Sequence, residues 1–391
     1  MSTLRVDGIR HNSATSDAIT TASDGTCTAK LTSVGGGQLS HRNLIINGAM
    51  NVAQRGTSST TNGYSTVDRF FTEYSGQDEV CTFAQVDVAS TATPYTSGFR
   101  KALKITNGNQ TSGAGSSDKV FIYQRIEAQD LAQSGWNYTS ASSFITLQFW
   151  VKSSVAQNFY GYLRAPDGTS QNYPFETGSL SADTWTKVTK TIPGNSNLTI
   201  DNNNSYGLEV LIAPFYGTDN TGSVSLNAWA AFASATRMPD YTPTWWTTND
   251  ATFEITGVQL EVGDTATSFE HRSFGEELLL CQRYYETCHS YGTPFGTNTP
   301  EGKFLQNGST NGAGNQQSTI YFRTTKRANP TVTGHYDGTV GSWYGARSGA
   351  SAVTSVTFDL ISMNSFRAYN GIGANYTSSE QIGQWQAEAE L

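Results

Sequence analysis

Charge is scarce in this sequence: Asp, Glu, Lys and Arg make up 14% of 391 residues, against about a quarter in an ordinary soluble domain. The 24 basic residues are scattered singly within a net charge of −8, so no basic stripe exists to track nucleic acid. A membrane surface is disfavoured on the same ground. Cysteine is scarcer still: Cys27, Cys81, Cys281 and Cys288 are too few and too dispersed to staple a chain of this length. No apolar run approaches the roughly 20 residues of a spanning helix, and the opening MSTLRVDGIR has no hydrophobic signal segment. The expectation is a product made and folded in the cytoplasm without membrane insertion.

Enzyme signatures are missing too. GxSxG, HExxH, C-x-x-C, the phosphate-binding P-loop and a strand-following GxGxxG do not occur, and no acidic residue stands in a recognisable catalytic setting. A non-enzyme without catalytic residues or cofactor is expected. His11, His41, His271, His289 and His335 are dispersed, and the neighbours Cys288 and His289 would point about 100° apart on a helix, so no metal site is expected there. DNNNS (201–205) and TDNTG (218–222) offer oxygen ligands for a structural calcium ion. Neither follows the twelve-residue calcium loop, and polar turns account for both.

What is present is strand and turn language: 38 Gly, 12% aromatic residues and abundant Thr, Ser and Asn. FITLQFWVKSS (144–154), NFYGYLRAP (158–166), TWTKVTKTIP (184–193), YGLEVLIAPFY (206–216) and ATFEITGVQLEVG (251–263) cluster or alternate β-branched and aromatic residues. Turn clusters separate them, and no long helical pattern intervenes, which predicts a mainly β, antiparallel sandwich. Leu147 and Trp150 fall on opposite faces of their strand. Four segments follow: an extended arm (1–42), a β-sandwich domain (43–272), a connecting helix (273–292) and a smaller C-terminal β-domain (293–391). The arm buries too little apolar surface to offset its ordering entropy, and reads either as a disordered leader or as an arm that orders on a partner. Short strand-like pieces are indicated by Ile19, Cys27, Ala29 and Leu31.

The helix FGEELLLCQRYYETCHSYG (274–292) opens after Ser273 with Glu276 and Glu277 in its first turn. Leu278, Cys281, Tyr285 and Cys288 then form one seam, packing either on the chain's own sandwich or on the same helix of other copies. For ligand binding the aromatic residues carry the signal, because sugar rings stack their apolar faces on Trp or Tyr. Trp150 and Trp185, inside strand patterns, are expected in the core. Trp245 and Trp246 cannot both point inward from adjacent extended positions. One of that pair, with Tyr241, is therefore expected at a ligand or subunit contact, and Trp136 with Tyr138 forms a second candidate.

NLIINGAMNVAQRG (43–56), followed by Gly63, Tyr64, Val67, Asp68 and Arg69, and the run ATFEITGVQLEVGDTATSFEHRSFGEELLLCQRYY (251–285) together resemble a family of tailed-phage virion proteins, especially those of marine and cyanobacterial phages. KRANPTVTG (326–334) is similar to a recurring piece of that family's C-terminal part, and the opening of the chain resembles its leaders. Members are fibre or appendage proteins whose central portion is similar to jelly-roll carbohydrate-binding modules. The resemblance implies a jelly roll in which 44–46 opens as a first strand and shares a sheet with 253–260. Glu254 and Glu261 would then lie on the solvent face or rim of the closing strand.

The resemblance further implies a virion protein, held to other virion proteins by residues 1–42, forming a homo-oligomer that is most readily a trimer, and presenting its β-domains to host-surface glycans. A capsid decoration, head fibre or structural tail protein using the jelly roll for subunit contacts shares every one of these features. A glycan depolymerase would need two carboxylates about 5–10 Å apart, which sequence spacing does not reveal.

Overall fold

The computed structural model describes residues 6–10, 12, 15, 19–23, 27–29, 41–308, 315–347, 350–371 and 379–391. Within the arm, β1 (Gly8–Ile9), β2 (Ile19–Thr21) and β3 (Cys27–Ala29) pair into a small antiparallel sheet. Two of these strands coincide with the pieces indicated by Ile19, Cys27 and Ala29; Leu31 lies outside the described residues.

Two six-stranded antiparallel sheets follow. Their strands are β4 (Ser58–Ser59), β5 (Phe71–Ser75), β6 (Thr82–Asp87), β7 (Lys101–Thr106), β8 (Lys119–Glu127), β9 (Phe144–Ser153), β10 (Asn158–Ala165), β11 (Gln171–Ser179), β12 (Thr186–Pro193), β13 (Tyr206–Tyr216), β14 (Ala230–Ala231) and β15 (Thr252–Val262). One sheet runs β14-β11-β10-β13-β8-β5 and the other β12-β9-β15-β7-β6-β4. Between them lies the core: Leu147, Phe149 and Val151 of β9 share it with Ile122 of β8, Phe159 of β10, Phe175 of β11 and Ile212 of β13. Short helices α1 (Thr93–Thr96), α2 (Ala128–Ala132) and α3 (Thr244–Thr247) fill the connections.

The period of two breaks once in β15, and the break is productive. Phe253 and Ile255 face the core on odd positions, while Val258 and Leu260 face it on even ones. A bulge between Thr256 and Gln259 makes the switch, with Gly257 at φ +65°. A Cβ there would lie 2.6 Å from the Phe99 ring.

NLIINGAMNVAQRG is not the first strand. Residues 45–49 bend and turn, with Asn47 and Met50 at positive φ, and two backbone bonds reach β15: the Leu44 amide donates to the Leu260 carbonyl at 2.9 Å and the Val258 amide donates to the Gly48 carbonyl at 2.9 Å. The polar side chains explain the departure. Asn43 bonds the Val258 carbonyl and the Leu260 amide, Asn47 bonds the Val52 and Asp68 carbonyls, and the Asn47 amide donates to Glu277. Gly48 passes so close to β15 that a Cβ would sit 2.0 Å from the Val258 oxygen. Side-chain bonds thus replace the ladder, which an alternation argument cannot anticipate.

The helix is shorter than its pattern. α4 spans Phe274–Gln282, capped as expected by Ser273, whose hydroxyl accepts from the Glu276 amide. Beyond it Tyr285–Thr287 forms β16, paired with the last strand, and cross-strand pairing there overrides helical propensity. The seam is therefore broken. Leu278 and Cys281 are helical and Tyr285 is in β16; Cys281 and Tyr285 are buried in their own chain. The Cys288 sulfur accepts from the Trp385 amide.

The C-terminal unit comprises β16, β17 (Phe304–Gly308), β18 (Asn315–Tyr321), β19 (Thr331–Tyr336), β20 (Thr339–Val340), β21 (Ser342–Arg347), β22 (Ala350–Asp359), β23 (Ser365–Gly371) and β24 (Ser379–Glu388). Nine strands join one sheet around β24, over a core of Ile320, Trp343, Phe366 and Trp385. Here His289 and His335 are buried together with their Nε2 atoms 3.0 Å apart.

A buried polar junction joins this unit to the sandwich. Arg69 pairs with Glu390 and lies 3.4 Å from the Tyr284 ring centre, while Arg55 lies 3.6 Å from that of Tyr285. Gln54 bonds Asp68 and the Tyr285 carbonyl, and Arg283 and Tyr284 both donate to Glu127. Arg327 donates to the carbonyls of Asn204, Ala389 and Glu390, and Lys326 is buried against Glu286. Burial raises Asp68 to about 6, against the Arg55 charge and the Gln54 hydrogen bonds that lower it. The three stretches quoted above, 43–56, 251–285 and 326–334, all supply residues to this junction or to its anchorage on β15.

Candidate functional site

The loop aromatics do not build the site. Trp245 and Trp246 are both fully buried, which corrects the expectation that one is exposed. They sit on α3, where neighbours diverge by about 100° and both rings can turn inward. Their indole N–H groups donate to the Thr252 and Gly113 carbonyls, and Trp246 stacks on Phe215. Tyr241 donates its hydroxyl to the Tyr160 and Ala213 carbonyls. Trp136 is 3% exposed, and the half-buried Tyr138 packs edge-on against it.

The tryptophans expected in the core are instead on the surface side of a sheet. On β9, Phe149 and Val151 point inward, so Trp150 and Lys152 point outward, and Trp150 is half-buried. Trp185 immediately precedes β12, one step beyond the Thr186–Val151 pair, and its ring centre lies 5.2 Å from the Lys152 ammonium. Of the six sandwich tryptophans, Trp136, Trp229, Trp245 and Trp246 donate their N–H to backbone carbonyls. Trp150 and Trp185 have no such partner among the described residues. The alternation FWVK carried this signal.

Strand register arranges the neighbours in two rows running across the sheet. In the first, Trp185 is followed by Lys152, Glu254 and Lys104 on β9, β15 and β7. Lys152 pairs with Glu254 at 2.9 Å. The second row holds Lys187, Trp150 and Thr256. Each row borders a hollow. One, of about 530 Å³, includes Trp185, Lys152, Glu254, Lys104, Asp87 and Asp183. The other, of about 330 Å³, includes Trp150, Lys187, Gln148, Phe99, Phe269 and His271. The face offers flat apolar rings beside ammonium, carboxylate, amide and hydroxyl groups, which suits a ligand with apolar faces and hydroxyl edges.

Glu254 is 8% exposed on this face, and Glu261 is 1% exposed, so the solvent-face expectation fails for Glu261. The segment 264–270 folds over it, with the Thr267 amide and hydroxyl donating to its carboxylate and Arg42 alongside. On the other sheet, the outward aromatics Phe121, Tyr123, Tyr162 and Tyr216 are buried with Met238. Among the described residues no group of three or more His, Cys, Asp or Glu is placed to hold a metal. In the two loops considered for calcium, Asn203 accepts from the Ser205 amide and Thr221 donates to Asp240.

No protein-family model matches the chain, and no curated protein matches it. Among solved structures it is similar to the enzymatically active domain of bacteriophage CBA120 tailspike protein 4, at 10% identity and a TM-score of 0.29 over 56% of this chain and 21% of that one. This chain thus spans about a fifth of the tailspike domain's length. It is also similar to the CBM22-1 xylan-binding domain of Paenibacillus barcinonensis Xyn10C, at 9% identity and a TM-score of 0.29 over 60% and 100% of the two chains. The N-terminal cellulose-binding domain of Cellulomonas fimi β-1,4-glucanase C shares 10% identity at a TM-score of 0.26, over 55% and 99%. Likeness at this level carries no argument about function. The class of protein is set by its own strands: a mainly β chain with an antiparallel sandwich and a second β-sheet unit.

Proposed function

We propose that this chain binds a glycan on the outer face of the β12-β9-β15-β7-β6-β4 sheet, without cleaving it, as part of a phage virion appendage. The observation that carries the binding is the pair Trp150 and Trp185, half-buried beside two hollows, with neither indole N–H given a partner among the described residues. The virion assignment is supported by the sequence resemblance through residues 43–56, 251–285 and 326–334. Purified protein is tested on a glycan array and by calorimetry against the strongest responder. Trp150→Ala and Trp185→Ala should each weaken binding about tenfold or more, as truncation of a buried aromatic anchor does. Unchanged affinity in both variants removes the face from consideration, and release of reducing ends from the bound glycan overturns the non-catalytic reading.

The same proposal includes a homo-oligomer, a trimer in the first instance, assembled through α4. Leu279 and Tyr291, 51% and 44% exposed, line a hollow of about 350 Å³ together with Leu278, and Phe274, 46% exposed, packs edge-on against Tyr291. Light scattering should give a multiple of the chain mass, reduced to a single chain by Leu279→Asp; a monomer at micromolar concentration overturns this part.

A further inference from the structure

The candidate face has a charge pattern that an uncharged sugar does not require. Glu254 stands between Lys152 and Lys104 in the cross-sheet register, on β15 between β9 and β7. It pairs with Lys152, leaving Lys104 half-buried and without an ion pair among the described residues. The rim carboxylate Asp87 is matched by Lys101 at 2.6 Å. In the second row Lys187, directly opposite Trp150, also has no ion pair among the described residues. Asp183, at the turn before Trp185, is the remaining carboxylate at the hollows. The hollows include Lys104, Lys152 and Lys187 against Asp87, Asp183 and Glu254, and Asp87 is already matched by Lys101 from outside them. The whole chain, by contrast, carries −8. The two uncommitted ammonium groups belong to separate rows, one beyond Glu254 and one beside an indole.

Resting on the glycan-binding reading above, we infer that the ligand is an acidic glycan, its rings stacked on Trp150 and Trp185 and its carboxylate or sulfate groups received by Lys104 and Lys187. Lys104, half-removed from water, has lost solvation that an anion restores, and Lys187, exposed beside Trp150, stands where an anion on a stacked ring would meet it; a lysine receives carboxylate and sulfate alike because it acts as a point charge. The carboxylate of Glu254 then serves to hold Lys152 over the Trp185 ring.

The test uses pairs of polymers that differ in charge and share a backbone: polygalacturonate with its methyl ester, and dextran sulfate with dextran. Full-length protein is titrated with each by calorimetry in 50 mM and 500 mM salt. Binding of a charged member, loss in its uncharged counterpart, and weakening at high salt support the inference, since the screening length between exposed charges falls from about 14 Å to about 4 Å over that range. Which pair responds tells carboxylate from sulfate. Lys104→Gln should weaken binding about tenfold while Lys104→Arg retains it, the loss expected of one charged hydrogen bond. Equal binding of charged and uncharged members, or binding of neutral glycans alone on the array, overturns the inference and leaves the glycan-binding reading standing. Absence of binding to every neutral and acidic glycan overturns both. Thermal melts of the variants separate lost binding from lost folding.

Discussion

At the scale of single residues, what decided the candidate face was side-chain direction. Trp150 and Trp185 looked like core because they lie among strand residues, yet Phe149 and Val151 on either side of Trp150 already commit its ring to the opposite face. Trp245 and Trp246 looked divergent because extended backbone was assumed, and one turn of helix removed the conflict. The same scale holds the strongest pH dependence. Burial and the neighbouring His289 push His335 down to about 4, and burial lowers His289 too. An unfolded histidine titrates near 6.5, so between about 6.5 and 4 the unfolded chain binds protons that the folded chain refuses. Stability is therefore full above that window and is lost as pH falls through it. Asp68, raised to about 6 by burial, works in the opposite sense and gains stability as pH falls from about 6 toward its unfolded value. Melting temperatures taken from pH 7 to 4.5 should fall more, or rise less, for the native chain than for His335→Asn, which lacks that histidine's share; parallel curves would contradict this.

Among elements, five long strands were legible, while β8 and β11, of like length, were not among the runs read as strands. β9, β10, β12, β13 and β15 coincide with the runs that alternate β-branched and aromatic residues, because their pattern is imposed by a core on at least one face. The segment 43–56 is apolar enough to read as a strand, but the side chains of Asn43, Asn47 and Asp68 accept from its backbone amides at Ile45, Val52 and Gln54. α4 stops early because Tyr285–Thr287 finds a strand partner some hundred residues further on, at Gln386 to Glu388, which no local pattern announces. The bulge in β15 is the most exposed to test. Gly257→Ala forces a side chain into φ +65° and against Phe99, and should cost about 1–3 kcal/mol, read as a lower denaturation midpoint. A neutral result would mean that the bulge relaxes without shifting Phe99.

For the whole molecule, the unexpected finding is how the two β units are joined. The sequence divided them by a helix; the structure joins them through Arg55, Arg69, Glu127, Arg283 and Glu390, with Arg69 and Glu127 buried and the other three half-buried. Removing one member of such a group leaves its partner's charge buried and unmatched, at a cost of about 3–5 kcal/mol. Glu390→Gln, near the last residue of the chain and far from Trp150 and Trp185 in sequence, should thus lower the melting temperature of the sandwich as well as of the C-terminal unit. Two separate transitions, with only the later unit affected, would show that the halves fold independently. This part of the design was invisible beforehand because its members are spread from residue 55 to residue 390 and become neighbours only in the fold.

The row formed by Trp185, Lys152, Glu254 and Lys104 also has a metric. Each residue stands on a different strand, and strands are spaced about 4.8 Å apart, so the row extends about 14 Å at right angles to the strands. A polymer lying along it would meet a new side chain at every strand, so the sheet acts as a ruler whose graduations are the strands themselves. Affinity would climb with each added sugar until the polymer outgrew β7, and then level off.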